Sequence, residues 1–169
     1  MLLQSTFLSL WYWIFAILTW GIICNYTFGV PNELLMRARR SEEEGELFER
    51  YARRNLSIFA RAIRRQSIVV GAVAAFMIAV IATLALWRGQ EVAMGLLVIL
   101  GPLSLLWMWG GRMISRLDET RPPREELRRA FMFERRLTGA VAAVSMIGAM
   151  LAATARHGPG WTEVLFRGF

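Results

Sequence analysis

Apolar and polar positions alternate along this chain in blocks. Phe7 to Val30 carries no charge, and neither do Ser67 to Trp87, Val92 to Gly111 and Leu137 to Ala155. Each block is close in length to the ~20 residues with which a helix crosses a hydrocarbon layer of about 30 Å. A helix on the surface of a soluble domain would show an apolar stripe opposed by a polar face, and these blocks are apolar all round. Lipid offers the backbone no water to bond, so such blocks must close their own hydrogen bonds as helices. The pattern predicts an all-α membrane protein. Four transmembrane helices, at about 7–30, 67–87, 92–111 and 137–155, make a single membrane domain covering residues 1–169. The loops 31–66 and 112–136 join them, and 31–66 contains an amphipathic cytoplasmic helix.

The charges between the blocks set the threading. Nine Arg fall between Arg37 and Arg65 and eight between Arg112 and Arg136, out of twenty basic residues in all. Short loops rich in Arg stay on the cytoplasmic side. Placing both loops there makes the second and third blocks a hairpin closed outside by Arg88, Gly89, Gln90 and Glu91. The N- and C-termini are then periplasmic, the latter beyond Arg156-His157-Gly158-Pro159-Gly160. Met1 to Thr6 has no basic start and no small-residue cleavage site follows, so the first span is expected to stay in the mature protein.

Both cytoplasmic loops read as structured. Ser41 with Glu44 is a capping-box pair that opens a helix. From Glu42 to Arg65 acidic residues come first and basic ones last, as the helix dipole favours. Glu46 with Arg50 and Glu49 with Arg53 are spaced for i,i+4 ion pairs. Phe48, Tyr51, Ile58, Phe59, Ala62 and Ile63 can share one broad side, which predicts a helix lying on the inner membrane surface or docked on a partner, or else a solvated extension of the second span. In the second loop Pro122-Pro123 breaks the chain. Arg124 to Arg136 predicts a further helix, with Phe131, Met132 and Phe133 touching the membrane.

Composition narrows the chemistry. Hydrophobic residues make up 56% of 169, the mean hydropathy is +0.40, and the net charge is +7 with a pI near 11.1. Each loop nevertheless mixes signs. Glu33, Glu42, Glu43, Glu44, Glu46 and Glu49 offset the first, and Asp118, Glu119, Glu125, Glu126 and Glu134 the second. Juxtamembrane Arg of this kind fits anionic lipid headgroups at the cytoplasmic face. Nucleic acid would need a sustained basic face with stacking aromatics, which is absent. The one cysteine, Cys24, provides no disulfide and no thiolate set for a cluster. The one histidine, His157, provides neither a metal set nor a triad, so no catalytic, cofactor or metal residue is expected and the chain does not read as an enzyme. All four blocks lack the ionisable residues that ion-coupled transport requires.

Two kinds of position stand out for packing. Gly71, Ala75 and Ala79 recur every four residues in the second block, and Ser145, Ala149 and Ala153 in the fourth, beside Gly139 and Ala143 and the pair Gly148 and Ala152. Small side chains let helices approach closely in lipid, which predicts a tight pairing of the second and fourth spans. Trp11, Trp13, Trp87, Trp107 and Trp109, with Arg37, Arg39, Arg40 and Arg112, lie where headgroup anchors belong. Trp20 falls at mid-membrane and is expected to pack against a helix. Pro102, after Gly101, should bend the third span.

Leu10-Trp11-Tyr12-Trp13-Ile14, then Gly29-Val30-Pro31 and Leu34-Leu35-Met36-Arg37-Ala38-Arg39-Arg40, resembles small multi-pass proteins of photosynthetic and related alphaproteobacteria. That group is often labelled "component of the SufBCD complex". The resemblance is sharpest over the first forty residues and general, in length and topology, beyond them. It implies a bacterial inner membrane, and its label implies an association with iron–sulfur assembly. Residues and resemblance together predict a non-catalytic accessory or assembly subunit of a larger membrane complex, respiratory or photosynthetic. Its partners would then be other subunits of that complex. Two alternatives stay open: a small oligomeric transport or channel component, and a membrane anchor recruiting a cytoplasmic partner.

Overall fold

A computed structural model describes residues 6–158, the side chains of Leu8 and residues 66–70 excepted. A 3-10 turn at Thr6–Leu8 leads into α1 (Leu10–Asn25), a two-stranded hairpin of β1 (Tyr26–Thr27) and β2 (Val30–Pro31), and α2 (Asn32–Arg37). Three long helices follow: α3 (Glu42–Leu86), α4 (Glu91–Thr120) and α5 (Arg124–His157). Among the described residues everything apart from the hairpin is helix or the short turns that join helices. Two helices, α4 and α5, are long and apolar enough to cross a membrane. The expected extracytoplasmic ends fall on residues 1–5 and 159–169, outside the described residues.

The first apolar block departs from the expected single span. At 16 residues α1 rises about 24 Å, short of the about 30 Å of a hydrocarbon layer. Beyond it the chain turns back on itself. Phe28 (φ 50°) and Gly29 (φ 74°) are both left-handed, as the tight turn between two antiparallel strands demands. A side chain on Gly29 would also press on the Phe59 ring at 3.2 Å. Asn32 fixes the hairpin to the helix end by donating from Nδ2 to the Cys24 carbonyl, 2.6 Å away. In the second block, Gly71–Leu86 is also a shorter apolar helix, and the side chains of residues 67–70 lie outside the described set.

The amphipathic helix expected in the first loop and the second block form one element, α3, with no break between them. Its start is capped as expected: the Glu44 amide donates to Ser41 Oγ at 3.2 Å. Pro102 does not interrupt α4. At the other turn, Arg121 adopts φ 42° and Pro123 sets up α5, whose Leu127 amide bonds the Pro123 carbonyl.

The chain forms two compact units. The first takes the described residues up to Trp20, then Ala72–Ser104, and those from Val141 onwards. Its core joins Phe7, Tyr12, Trp13 and Ala16 to Ile99 of α4 and to Ala149 and Ala153 of α5. Trp13 Nε1 donates to the Phe7 carbonyl at 2.9 Å, and Trp20 is buried. The second unit takes Gly21–Gly71 and Leu105–Ala140. There Phe131 stands at the centre, edge-on to Phe28 (5.4 Å) and to Phe48 (5.6 Å). Leu35, Leu56, Ala60, Ile114 and Leu127 close around them.

Several sequence expectations change here. Phe131 is fully buried in protein and only Phe133 of the predicted membrane-touching trio is exposed. The buried side of α3 is Phe48, Ala52, Leu56 and Ala60, while Tyr51, Ile58 and Phe59 are exposed. An i,i+4 repeat through small Ala positions lets α3 approach the other helices closely. Of the larger residues chosen from sequence, Phe48 is on that side and Ile63 packs against the same core, while Tyr51, Ile58 and Phe59 fall off it. Truncating Phe131→Ala empties the centre of the second unit and should destabilise it by about 3–5 kcal/mol. The exposed Phe133→Ala should change stability by less than about 1 kcal/mol. Thermal unfolding of both variants in one detergent checks the contrast, and equal losses would contradict the packing described.

Candidate functional site

Of the small residues that the spacing singled out for packing, the row from Ser145 on α5 serves it and those on α3 do not. Ser145, Ala149 and Ala153 are buried, and the Ser145 hydroxyl donates to the Val98 carbonyl of α4. Gly71, Ala75, Ala79, Gly139 and Ala143 are exposed, and nothing lies within 4 Å of where a Cβ on Gly71 or Gly139 would sit. The predicted pairing of the second and fourth spans through these residues is therefore not made. The small face of α5 packs instead on α4 and on the aromatic start of the chain. Aromatic bulk explains the choice: Phe7, Tyr12 and Trp13 need a flat neighbour, and Ala149 and Ala153 provide it.

The interfacial aromatics divide similarly. Trp11, Trp87, Trp107 and Trp109 are exposed, as headgroup anchors must be, and Trp13 is core. Arg39, Arg40 and Arg112 are exposed, and Arg37 pairs with Glu33 on its own helix.

Glu91 and His157, which the sequence placed in an external loop and tail, come together in the first unit. Glu91 Oε1 accepts from the Phe7 amide at 2.8 Å and lies 3.1 Å from His157 Nε2. One carboxylate thus gathers the starts of the chain and of α4 and the end of α5. Their separation in sequence, 84 and 66 residues, hid this cluster from any spacing argument.

The second unit holds most of the ion pairs. Arg124 reaches Glu42, Arg53 bonds both Glu49 (2.8 Å) and the Pro122 carbonyl (2.8 Å), and Arg64 meets Asp118 at 3.0 Å. The predicted Glu49–Arg53 pair forms, whereas no Glu46–Arg50 pair is made among the described residues. Arg128 and Arg129 both bind Glu125 and hold its carboxyl down to about 2. A cavity of about 300 Å³ lies among Ala38, Ser41, Glu42, Phe48, Arg124 and Arg128, its charged walls already paired to one another.

One charged side chain of this unit is buried without compensation. Glu134 is 5% exposed, and its Oε2 has no hydrogen-bond partner among the described residues. Its other oxygen faces Gly110, where a Cβ would stand 3.5 Å from Oε1 and 3.1 Å from the Phe28 ring. Burial pushes the Glu134 carboxyl up, and no neighbouring cation offsets that effect. Sequence reasoning counted Glu134 only among the acids that offset the second loop's Arg, and the packing of α4 and the hairpin on α5 reveals its burial.

Among the described residues no three His, Cys, Asp or Glu gather closely enough to hold a metal ion. Comparison with protein-family models, curated proteins and solved structures finds no match to this chain.

The folded carboxyl of Glu134 keeps its proton to higher pH than the unfolded one, so the folded state binds the extra proton. Stability should be full below the ordinary carboxyl value of 4.5 and fall as pH rises through the raised value. Glu134→Gln, which never ionises, should remove that decline and melt above the parent at neutral pH. Melting curves from acidic to neutral pH decide it, and parallel curves for the two proteins would contradict an uncompensated carboxyl.

Proposed function

We propose that this chain is a non-catalytic integral-membrane accessory or assembly subunit of a larger bacterial inner-membrane complex, respiratory or photosynthetic. The observation that carries the reading is uncovered apolar surface. The most apolar window of α4 is 17% buried and that of α5 28%. Large exposed hydrophobics recur on α1 (Trp11, Ile17, Ile22), α3 (Val73, Phe76, Met77), α4 (Leu105, Trp107, Met108) and α5 (Val144, Ile147, Leu151). Monomeric soluble proteins rarely expose contiguous apolar patches beyond a few hundred Å². Lipid and neighbouring membrane subunits are the surroundings that such surface suits.

The Arg-rich second unit fits the cytoplasmic side by the positive-inside rule, with both termini periplasmic. Four crossings follow from this threading, α1 and the second half of α3 being the shorter two. The lipid headgroups beside that unit would be anionic ones. A second reading, a membrane anchor that recruits a cytoplasmic partner, draws support from the exposed side of α3, which carries Arg and apolar residues together.

Extraction of the native protein in a mild detergent should bring with it a stoichiometric partner, identified by mass spectrometry. Migration as a lone monomer would overturn the accessory reading. Alkaline phosphatase fused after Phe169 should be active, and the same enzyme fused near Glu44 inactive. Activity at both points would overturn the threading.

A further inference from the structure

The half of α3 within the second unit has two apolar sides. One is the buried repeat of Phe48, Ala52, Leu56 and Ala60. At about 100° per residue, Leu47, Arg50, Tyr51, Arg54, Ile58, Arg61 and Arg65 fall together on another side. All seven are exposed, Leu47 at 52%, Tyr51 at 43% and Ile58 at 46%. The four Arg make no ion pair among the described residues, in contrast to Arg53 and Arg64 on the flanks of the same helix. Glu43 falls on this line and Glu44 and Glu46 beside it, all at its N-terminal end, and from Arg50 to Arg65 the line carries no acidic residue.

We propose that this line, from Leu47 to Arg65, is a docking surface for an acidic amphipathic segment of a cytoplasmic or subunit partner protein. The inference rests on the recruitment reading above and adds the chemistry of the partner.

Lipid is the competing occupant, and distances within the unit argue against it. Ile63 packs 3.8 Å from where a Cβ on Gly111 would sit, and Gly111 ends the charge-free block of α4. Towards its N-terminus α3 runs alongside the charged start of α5, with Phe48 against Phe131 and Glu42 on Arg124. Arg124 is about 20 Å of helix from Leu137, where the last charge-free block begins. Tyr51 lies about 18 Å of helix from Ile63, and Arg50 about 20 Å. The headgroup layer adds about 5–7 Å to the hydrocarbon edge, and screening at physiological salt acts over about 8 Å beyond it. Headgroup charge therefore acts fully on Arg61 and Arg65, weakens at Arg54 and fades before Arg50. Leu47 and Tyr51 are equally beyond the reach of acyl chains.

A second copy of the chain fits no better. Two copies threaded alike through one membrane relate by an axis along its normal, and this line laid on itself sets Arg against Arg. An acidic partner helix satisfies both halves of the pattern. Its carboxylates pair with Arg50, Arg54, Arg61 and Arg65, and its apolar residues cover Leu47, Tyr51 and Ile58, as in helix-in-groove recognition.

The test uses the full chain in nanodiscs of zwitterionic lipid. The probe is a labelled helical peptide with Leu at heptad a and d positions and Glu at e and g; its control has Gln in place of every Glu. The Glu peptide should bind, more weakly as salt rises, and the Gln peptide should bind at least about tenfold more weakly, the step that 1.4 kcal/mol gives. R50E/R54E, at exposed sites, should lose binding by at least about tenfold with an unchanged melting temperature, and R50Q/R54Q should lose less. Equal binding of both peptides, or of parent and R50E/R54E, overturns the proposal. So does loss of peptide binding on moving to anionic nanodiscs, which assigns the line to lipid, or dimerisation that R50E/R54E abolishes, which assigns it to a second copy. A native partner that co-purifies equally with parent and R50E/R54E also sinks this surface, while leaving the accessory-subunit reading intact. No native partner at all, with peptide binding retained, does the reverse.

Discussion

On α4 and α5 the most apolar windows are 17% and 28% buried, so most of their apolar side chains are uncovered. In water, each uncovered Leu or Ile would cost about 1.5–3 kcal/mol relative to burial. In lipid the same surface costs nothing, but association also loses its hydrophobic drive, and helices must hold one another by close contact and polar bonds. The first unit shows both devices. Ala149 and Ala153 let the aromatic start of the chain lie flat on α5, and the Ser145 hydroxyl and Glu91 carboxylate reach across to backbone groups.

The second unit is held by charged contacts as well as apolar ones. It has an aromatic core around Phe131, a ring of ion pairs, a capped helix start and helix sides of mixed character. Glu134 is a costly member, an acid buried beside Gly110 without a counter-charge among the described residues. A neutral, protonated carboxyl is the form such a site favours.

What the sequence disclosed follows from which signals are local. Charge-free blocks, the Ser41 cap, the Pro122-Pro123 break and the Glu49–Arg53 pair depend on residues a few positions apart, and all were legible. The hairpin at Phe28-Gly29 was not, because its turn sits inside an apolar run that reads as uninterrupted helix. Helix sides were also misjudged. Small residues recur on two sides of α5 and α3, and only the bulky partners Phe7, Tyr12, Trp13 and Phe131 decide which side is used. The Glu91–His157 contact and the burial of Glu134 join distant segments, and no periodicity announces them. The line of unpaired Arg on α3 was half visible. Its residues could be seen to share a helix, but which Arg were already paired required the packing.

The idea on which all else rests is that helices bare of charge are embedded in lipid. Washing native membranes with carbonate at high pH strips peripheral proteins and leaves integral ones behind. The chain should remain wholly with the membrane pellet and be released by detergent alone. Recovery as a folded species in the carbonate supernatant would contradict a transmembrane role for α4 and α5.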